Sequence, residues 1–451
     1  MVRLFNFPKG VFVVAFGNLW DTFSYYGTQT VIVLYLIHTF GFSSSTSYLV
    51  YGTYAAMAFS TPVLGGVIAD RFLGSRNTLI FGSSLSMIGN LILMIQHESW
   101  FYAGLAITLI GSGLYKSNST QLLGALYKNQ IADKEKGFTL LYLAINVGGT
   151  LAPIVYGLMI YKFSWSYGFL ASAIGLGLGL LMFLIYFKTW PAVRTSLNQK
   201  ISGVTAILLA MLILFFCFRN QDLLIILPVI VFACGITYIL HAIQKLERPK
   251  RKPLFGILAL STFAMFYFAA GMQIGTTITL FIQSALPHLV LPASTFNMLY
   301  SGFVLILAPL LTLIWAYLKN KGISIKIPQK VFVGILLASI GIFIFSLAAK
   351  SNIVIPNVVL GYLFLSAGEL VITPAVYTAI SNNSPDSIKG AMMGCWFLFI
   401  GMGSFISGMM SKASKNLFAS YTDQFIVIGL ITLTVAILLL VVLPKLSKII
   451  K

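Results

Sequence analysis

Acidic side chains are scarce here: ten Asp and Glu stand beside 29 Lys and Arg in 451 residues, so charged residues make up only 9% of the chain. A soluble domain carries about 25%, and no water-facing surface can be built from so few. Cysteine is rarer still, and Cys217, Cys234 and Cys395 all lie in apolar runs without metal-ligand spacing, where ordinary packing accounts for them. The four histidines, His38, His97, His241 and His288, fall at the ends of apolar runs or in loops. No nucleophile with a base beside it is recognisable, so an enzyme, a metal site and a cofactor are not expected.

What is abundant is apolar surface, at 58% of residues. It comes in fourteen runs, each long enough to cross a hydrocarbon core of roughly 30 Å as a helix. They lie at about 10–37, 47–69, 76–96, 99–120, 137–160, 165–187, 201–218, 223–243, 254–281, 294–318, 330–349, 357–380, 391–410 and 425–444. Helices rather than a barrel are expected, because each run satisfies its backbone within itself. The fold class read from the sequence is an all-α integral membrane protein with fourteen spans.

Basic residues are retained on the cytoplasmic side of a membrane. With the N-terminus inside, the tails and even-numbered loops hold 23 of the 29 Lys and Arg, the opposite loops hold five, and Lys116 lies within a span. Both termini are therefore expected in the cytoplasm of a multi-pass cell-membrane protein, with the bacterial inner membrane as its place. The net charge of +19 follows this loop pattern, and no basic polar domain is present to bind nucleic acid. The first run, preceded by Arg3 and Lys9, is too long for a signal-peptide core and lacks a small-residue cleavage site, so it reads as a span.

The most charged stretch, Gln244 to Pro253, separates eight spans from six, and spans seven and eight carry no ionisable residue in mid-span. The simplest plan is a six-helix bundle over 1–190, an inserted helix pair with a basic linker over 191–252, and a second six-helix bundle over 253–451. Two such halves with a substrate site between them at the midplane make the major facilitator architecture. Gly175, Gly177 and Gly179 mimic a phosphate loop but sit within an apolar helix, where close helix packing is expected.

Ionisable residues inside a span are costly and mark function by default. Asp70, Glu98, Asp133, Glu135, Asp222, Glu247, Asp386 and Asp423 fall in or beside loops, which leaves Asp21, Lys116 and Glu369 in mid-span. They lie on the first helix and on the fourth helix of each half. The Lys116 ammonium could pair with Asp21 or a substrate carboxylate, and Glu369 could take a substrate amine or a proton. An ion pair that merely orients helices is the alternative.

Several ordered motifs carry a resemblance: Gly-Gly-Val-Ile-Ala-Asp-Arg-Phe-Leu-Gly at 65–74, Gly-Ser-Gly-Leu-Tyr-Lys-Ser-Asn at 111–118, Phe-Thr-Leu-Leu-Tyr-Leu-Ala-Ile-Asn-Val-Gly at 138–148, Gly-Glu-Leu at 368–370 and Met-Met-Gly-Cys-Trp-Phe-Leu at 392–398. The chain resembles the proton-dependent oligopeptide transporters of the major facilitator superfamily over most of its length, as a divergent bacterial-type member. The resemblance implies proton-coupled uptake of di- or tripeptides or related small zwitterions, by a monomer with protons and the lipid bilayer as its other partners. It implies substrate contacts from Tyr25, Tyr26, Gln29, Tyr54, Lys116, Asn146, Gln273, Glu369 and Trp396. It also implies proton coupling by Asp21, Lys116 and Glu369, and a cytoplasmic gate at Asp70, Arg71 and Arg76. Tyr25 and Tyr26 point about 100° apart on a helix, so one of them has the alternative of packing. Asn146 could instead be interhelical glue, and Trp396 could be a packing residue.

The departures are as specific as the matches. The family's first-helix Glu-x-x-Glu-Arg-Phe reads Asn18-Leu19-Trp20-Asp21-Thr22-Phe23 before the retained Ser24-Tyr25-Tyr26-Gly27, and Gln29 stands where a second Arg is usual. The acid expected before Gln273 is Met272, and an expected Asn-Pro reads Tyr300-Ser301. Two Glu and two Arg are lost together, so the net charge of the cavity is unchanged and no partner is stranded, but a bidentate clamp on a peptide carboxylate is lost too. A transporter of the same fold with altered cargo or an uncoupled mechanism is the second reading, and a non-transporting receptor or scaffold the third.

Overall fold

A computed structural model describes residues 8–127, 134–186, 190, 193, 195–323, 325–351 and 353–450. Arg3 and Asp133 lie outside them, and so do residues 187–189, 191, 192 and 194 at the first expected domain boundary. Among the described residues the chain is helical and has no strand. The helices are α1 Lys9–Phe40, α2 Ser44–Ile68, α3 Ser75–Leu93, α4 Glu98–Leu126, α5 Lys134–Lys162, α6 Trp165–Ile185, α7 Leu197–Arg219 and α8 Gln221–Gln244. They continue as α9 Arg248–Gly271, α10 Thr277–Ala285, α11 Met298–Asn320, α12 Ile327–Lys350, α13 Val354–Asn383, α14 Asp386–Leu417 and α15 Tyr421–Ile449.

Every run read from the sequence has its helix. The helices overrun the apolar stretches because their polar ends remain helical. Among the described residues eleven segments are long and apolar enough to cross a membrane; α1, α3 and α4 fall short of that measure. These three carry Asn18, Asp21, Ser24 and Gln29, then Ser83, Ser86 and Asn90, then Ser112, Lys116, Asn118 and Ser119. The polar groups gathered below are what lower their apolarity.

The ninth run, expected as one continuous span, is broken. α9 ends at Gly271, a 3₁₀ turn occupies Met272–Gly275, and α10 begins after Thr276. Gln273, Thr276 and Thr277 supply side chains that hold this break against α14, and Gly275 makes room for the Tyr51 ring, which any β-carbon there would strike. The tenth run likewise opens with a 3₁₀ turn, Ala293–Asn297, before α11.

The chain sorts into two compact units: residues 1–41, 57–224 and 290–298 form one, and residues 42–56, 225–289 and 299–451 form the other. In the first, α3 packs on α4 and α6, and α1 packs on α4, α5 and α6. The glycine run on α6 is a packing surface: Gly175 faces the Trp20 indole and Gly179 approaches the Gly17 backbone. α7 belongs to this unit, with Phe218 stacked on Tyr102 at 6.5 Å. In the second, α12 packs on α13 and α15, and α9 packs on α12 to α15. α8 leans on α14 there through Phe232 and Phe399, 5.2 Å apart. The start of α2 crosses α14 where Gly52 meets the Gly408 backbone, an approach only small residues permit.

Candidate functional site

Asn18, Asp21 and Tyr25 recur every three or four residues on α1, so they share a face. Ser112, Lys116 and Ser119 do the same on α4. The two faces meet. The Ser112 hydroxyl donates to the Asp21 carboxylate at 3.2 Å, and the Lys116 ammonium lies 3.8 Å from the same group. The Ser119 hydroxyl donates to the Asn18 side-chain carbonyl at 3.2 Å. The Lys116 ammonium also sits 4.5 Å from the centre of the Tyr25 ring, where the π-face attracts a cation. The pair is uneven in its wetting: 2% of the Asp21 side chain is exposed and 28% of the Lys116 side chain. A buried carboxylate thus anchors a partly buried cation.

Of the two neighbouring tyrosines, Tyr25 is buried and faces Lys116, and the half-buried Tyr26 meets its ring edge-on at 5.0 Å. Gln29 is buried one turn further along α1. Asn90 on α3 donates to Ser24 at 2.8 Å, tying α3 into the same polar seam. Asn146, on α5, is half-buried and its amide donates to the Tyr142 carbonyl of its own helix at 2.9 Å, which leaves the amide oxygen outside that bond.

The residues expected to gate, Asp70, Arg71 and Arg76, sit on or beside an irregular piece of backbone. α2 closes in a π-helical turn, Ala69–Leu73, that presents Asp70 and Arg71 to solvent, and Gly74, at φ 74°, turns the chain into α3. That positive φ is one that only glycine adopts without cost. Arg76, half-buried, lies in the first turn of α3, and the Gln199 amide of α7 reaches the Arg71 carbonyl at 3.4 Å.

In the second unit Glu369 is half-buried on α13, and Tyr300 is buried on α11. Tyr300 lies 3.2 Å from the Tyr267 hydroxyl of α9, which reaches the Leu365 carbonyl at 2.5 Å. Ser366 donates to the Tyr300 carbonyl at 2.9 Å and fixes that backbone against α13.

Gln273 is fully buried and committed at both ends of its amide. Its NH₂ donates to the Ser407 carbonyl and hydroxyl, each at 3.1 Å, and its oxygen accepts from Ser411 at 2.7 Å. Trp396 is also buried, its ring edge-on to Phe268 at 5.7 Å in the seam of α9 and α14. Tyr54 is buried on α2 in this unit. Asp21, Tyr25, Tyr26 and Lys116 are thus brought together, whereas Gln273 and Trp396 are set within the α9–α14 seam.

Reading the sequence missed Ser112 and Tyr267 and saw Tyr300 only as a departure. Ser112 stands four residues before Lys116, and that spacing was available as a signal. Tyr267 gives no such signal, because a phenol in an apolar run looks like any other aromatic.

The model of the POT family matches residues 76–427. The chain belongs to the POT family. Among relatives, an uncharacterized transporter of Bacillus subtilis, YclF, is 27% identical over 99% of this chain and 96% of its own. The dipeptide and tripeptide permease B of Photorhabdus luminescens is 26% identical over 99% and 98%. A crystal structure of a peptide transporter POT in complex with sulfate superposes with a TM-score of 0.86 at 25% identity, covering 99% of this chain and 96% of that one. A POT family transporter in complex with 5-aminolevulinic acid has the same fold, with a TM-score of 0.86 at 23% identity, covering 98% of each chain. This POT family member is a multi-pass transporter of the cell membrane.

Proposed function

We propose that the chain is a proton-coupled symporter that takes up di- and tripeptides or related small zwitterions by alternating access. The observation that carries the reading is the Asp21–Lys116 pair at 3.8 Å, with the ammonium over the Tyr25 ring. A substrate carboxylate and Asp21 compete for that ammonium, so cargo binding changes the pairing of the buried acid and hence its need for a proton. Glu369 would take the substrate's amino end or a proton, and Tyr26, Gln29, Tyr54 and Asn146 would complete the polar and aromatic lining. Asp70, Arg71 and Arg76 would switch the cytoplasmic gate. Support for peptide cargo comes from the permease named for dipeptides and tripeptides, 26% identical over nearly the whole chain.

In the same proposal the helices group as a bundle over 1–190, an inserted pair over 191–252 and a bundle over 253–451, making fourteen spans with both termini in the cytoplasm of a functional monomer. Uptake of labelled dialanine into proteoliposomes, with and without an inward proton gradient, tests the activity. Gradient-driven accumulation is expected in the wild type and a loss of at least about tenfold in Glu369→Gln, with exchange across a preloaded membrane retained. No dialanine uptake in the wild type would overturn peptide transport in favour of different cargo.

A further inference from the structure

The proposed transport cycle leaves the inserted pair without a task, yet α7 is built against the turn that carries Asp70 and Arg71. α7 buries a narrow stripe, Gly203, Ile207, Leu214 and Phe218, at helical spacing. Its far end is fixed on α4, where Phe218 stacks on Tyr102 at 6.5 Å. Its near end lies on the π-helical turn Ala69–Leu73. A β-carbon at Gly203 would stand 2.8 Å from the β-carbon of Phe72 and 3.2 Å from Leu73 Cγ, so the missing side chain is what lets α7 approach. Val193, ahead of α7, lies against Gly74, where an added β-carbon would come within 3.1 Å of it.

The carbonyls that end a helix need partners from outside its own ladder. In this turn the Ala69 carbonyl accepts from the Gly74 N–H at 2.9 Å and the Leu73 carbonyl from the Asn77 amide at 3.0 Å. The Arg71 carbonyl accepts from the Gln199 amide of α7 at 3.4 Å. Gln199 is engaged at both ends: its oxygen accepts from the Ser196 N–H at 2.8 Å, in the capping box that starts α7. A backbone N–H only donates and a carbonyl only accepts, so these two partners fix which way the amide lies.

We propose that the first turns of α7 clamp the 69–74 turn, with Gln199 as the positioning residue whose amide couples the start of α7 to the backbone carrying Asp70 and Arg71. One side chain begins the helix and holds the turn. Gly203, four residues on and so on the same face, keeps the two close enough for that bond. Because α7 is anchored on α4 at its other end, it gives the turn a fixed post, and the Arg71 carbonyl must leave Gln199 whenever that backbone rearranges. The effect on transport rests on the gate role proposed for Asp70, Arg71 and Arg76; the clamp itself does not.

Gln199→Glu separates capping from clamping. A carboxylate keeps the acceptor for the Ser196 N–H and has no proton to give the Arg71 carbonyl; Gln199→Met removes both. The readout is amide hydrogen exchange in the purified full-length proteins, over residues 69–76, with residues 272–276 of the other unit as reference. Both variants should exchange about three- to tenfold faster over 69–76, the effect of losing one hydrogen bond, and match the wild type over 272–276. Wild-type exchange in Gln199→Glu would overturn the clamp, and faster exchange in Gln199→Met alone would assign the effect to the cap. Faster exchange over both regions would mean general loosening and overturn it as well. Dialanine uptake reads the next step: the maximal rate of Gln199→Glu should rise about twofold or more at unchanged KM, because parting the turn from α7 becomes easier. Faster exchange at an unchanged maximal rate would establish the clamp and overturn the gate role of that turn. A wild type that takes up no dialanine would overturn peptide cargo, and exchange would still decide the clamp.

Discussion

Ser112 and Lys116, one turn apart on α4, converge on the same oxygen, Oδ2, of Asp21. The hydroxyl and the ammonium therefore share the burden of a carboxylate that is 2% exposed. Neither partner alone reproduces that environment.

This convergence makes the first prediction. Lys116→Gln strands a buried acid and Asp21→Asn strands a partly buried cation, whereas the double variant strands neither. Thermal unfolding of the four detergent-purified proteins should place the double variant above Lys116→Gln, with a coupling of about 1–3 kcal/mol. Simple additivity of the two single losses would mean that the pair at 3.8 Å contributes nothing.

Gly65 and Gly66 are neighbours on α2 with opposite surroundings. A β-carbon at Gly65 would collide with the Gly113 carbonyl oxygen of α4, and one at Gly66 meets nothing within 4 Å. Gly65→Ala should destabilise by about 1–3 kcal/mol through overpacking. Gly66→Ala should stabilise by about 0.4–1 kcal/mol, because alanine restricts the unfolded chain and suits a helix. Melting temperatures of the two variants that move in the same direction would contradict this assignment of faces.

Gln273 is the hub of a polar cluster with Ser407, Ser411 and Thr276. Gln273→Leu keeps the bulk and removes the amide, leaving several buried groups short of a partner at about 1–3 kcal/mol each. Its melting point should fall well below that of the wild type, and the pH midpoint of uptake by the surviving protein should not move. A moved midpoint at unchanged stability would reassign Gln273 from holding the α9–α10 break to proton coupling.

Much of this was legible in the sequence. The fourteen apolar runs located the helices, because in a membrane the backbone has no alternative to local pairing. The isolation of Asp21, Lys116 and Glu369 located the polar seams, because no other Asp, Glu, Lys or Arg lies in the middle of those spans. The break after Gly271 was not legible: hydropathy treats 254–281 as uniform, and it is Ser407 and Ser411, about 135 residues further on, that make an interrupted helix affordable. The row of phenols was hidden for a similar reason. Tyr267 and Tyr300 are 33 residues apart, and only the packing of α9, α11 and α13 turns two aromatic side chains into consecutive oxygen sites.

The three helices that fall short on apolarity bear on how the protein is made. α1 leaves the ribosome carrying Asp21 three helices before α4 delivers Lys116 and Ser112. A lone aspartate at the centre of a helix adds roughly 2.5–3.5 kcal/mol to the work of insertion. That cost is relieved when α4 brings Ser112 and Lys116 to the carboxylate. Lys116 is in that sense an assembly signal for the first helix as well as part of the site, and the order of synthesis leaves the acid without its cation for the time it takes to make two helices and their loops.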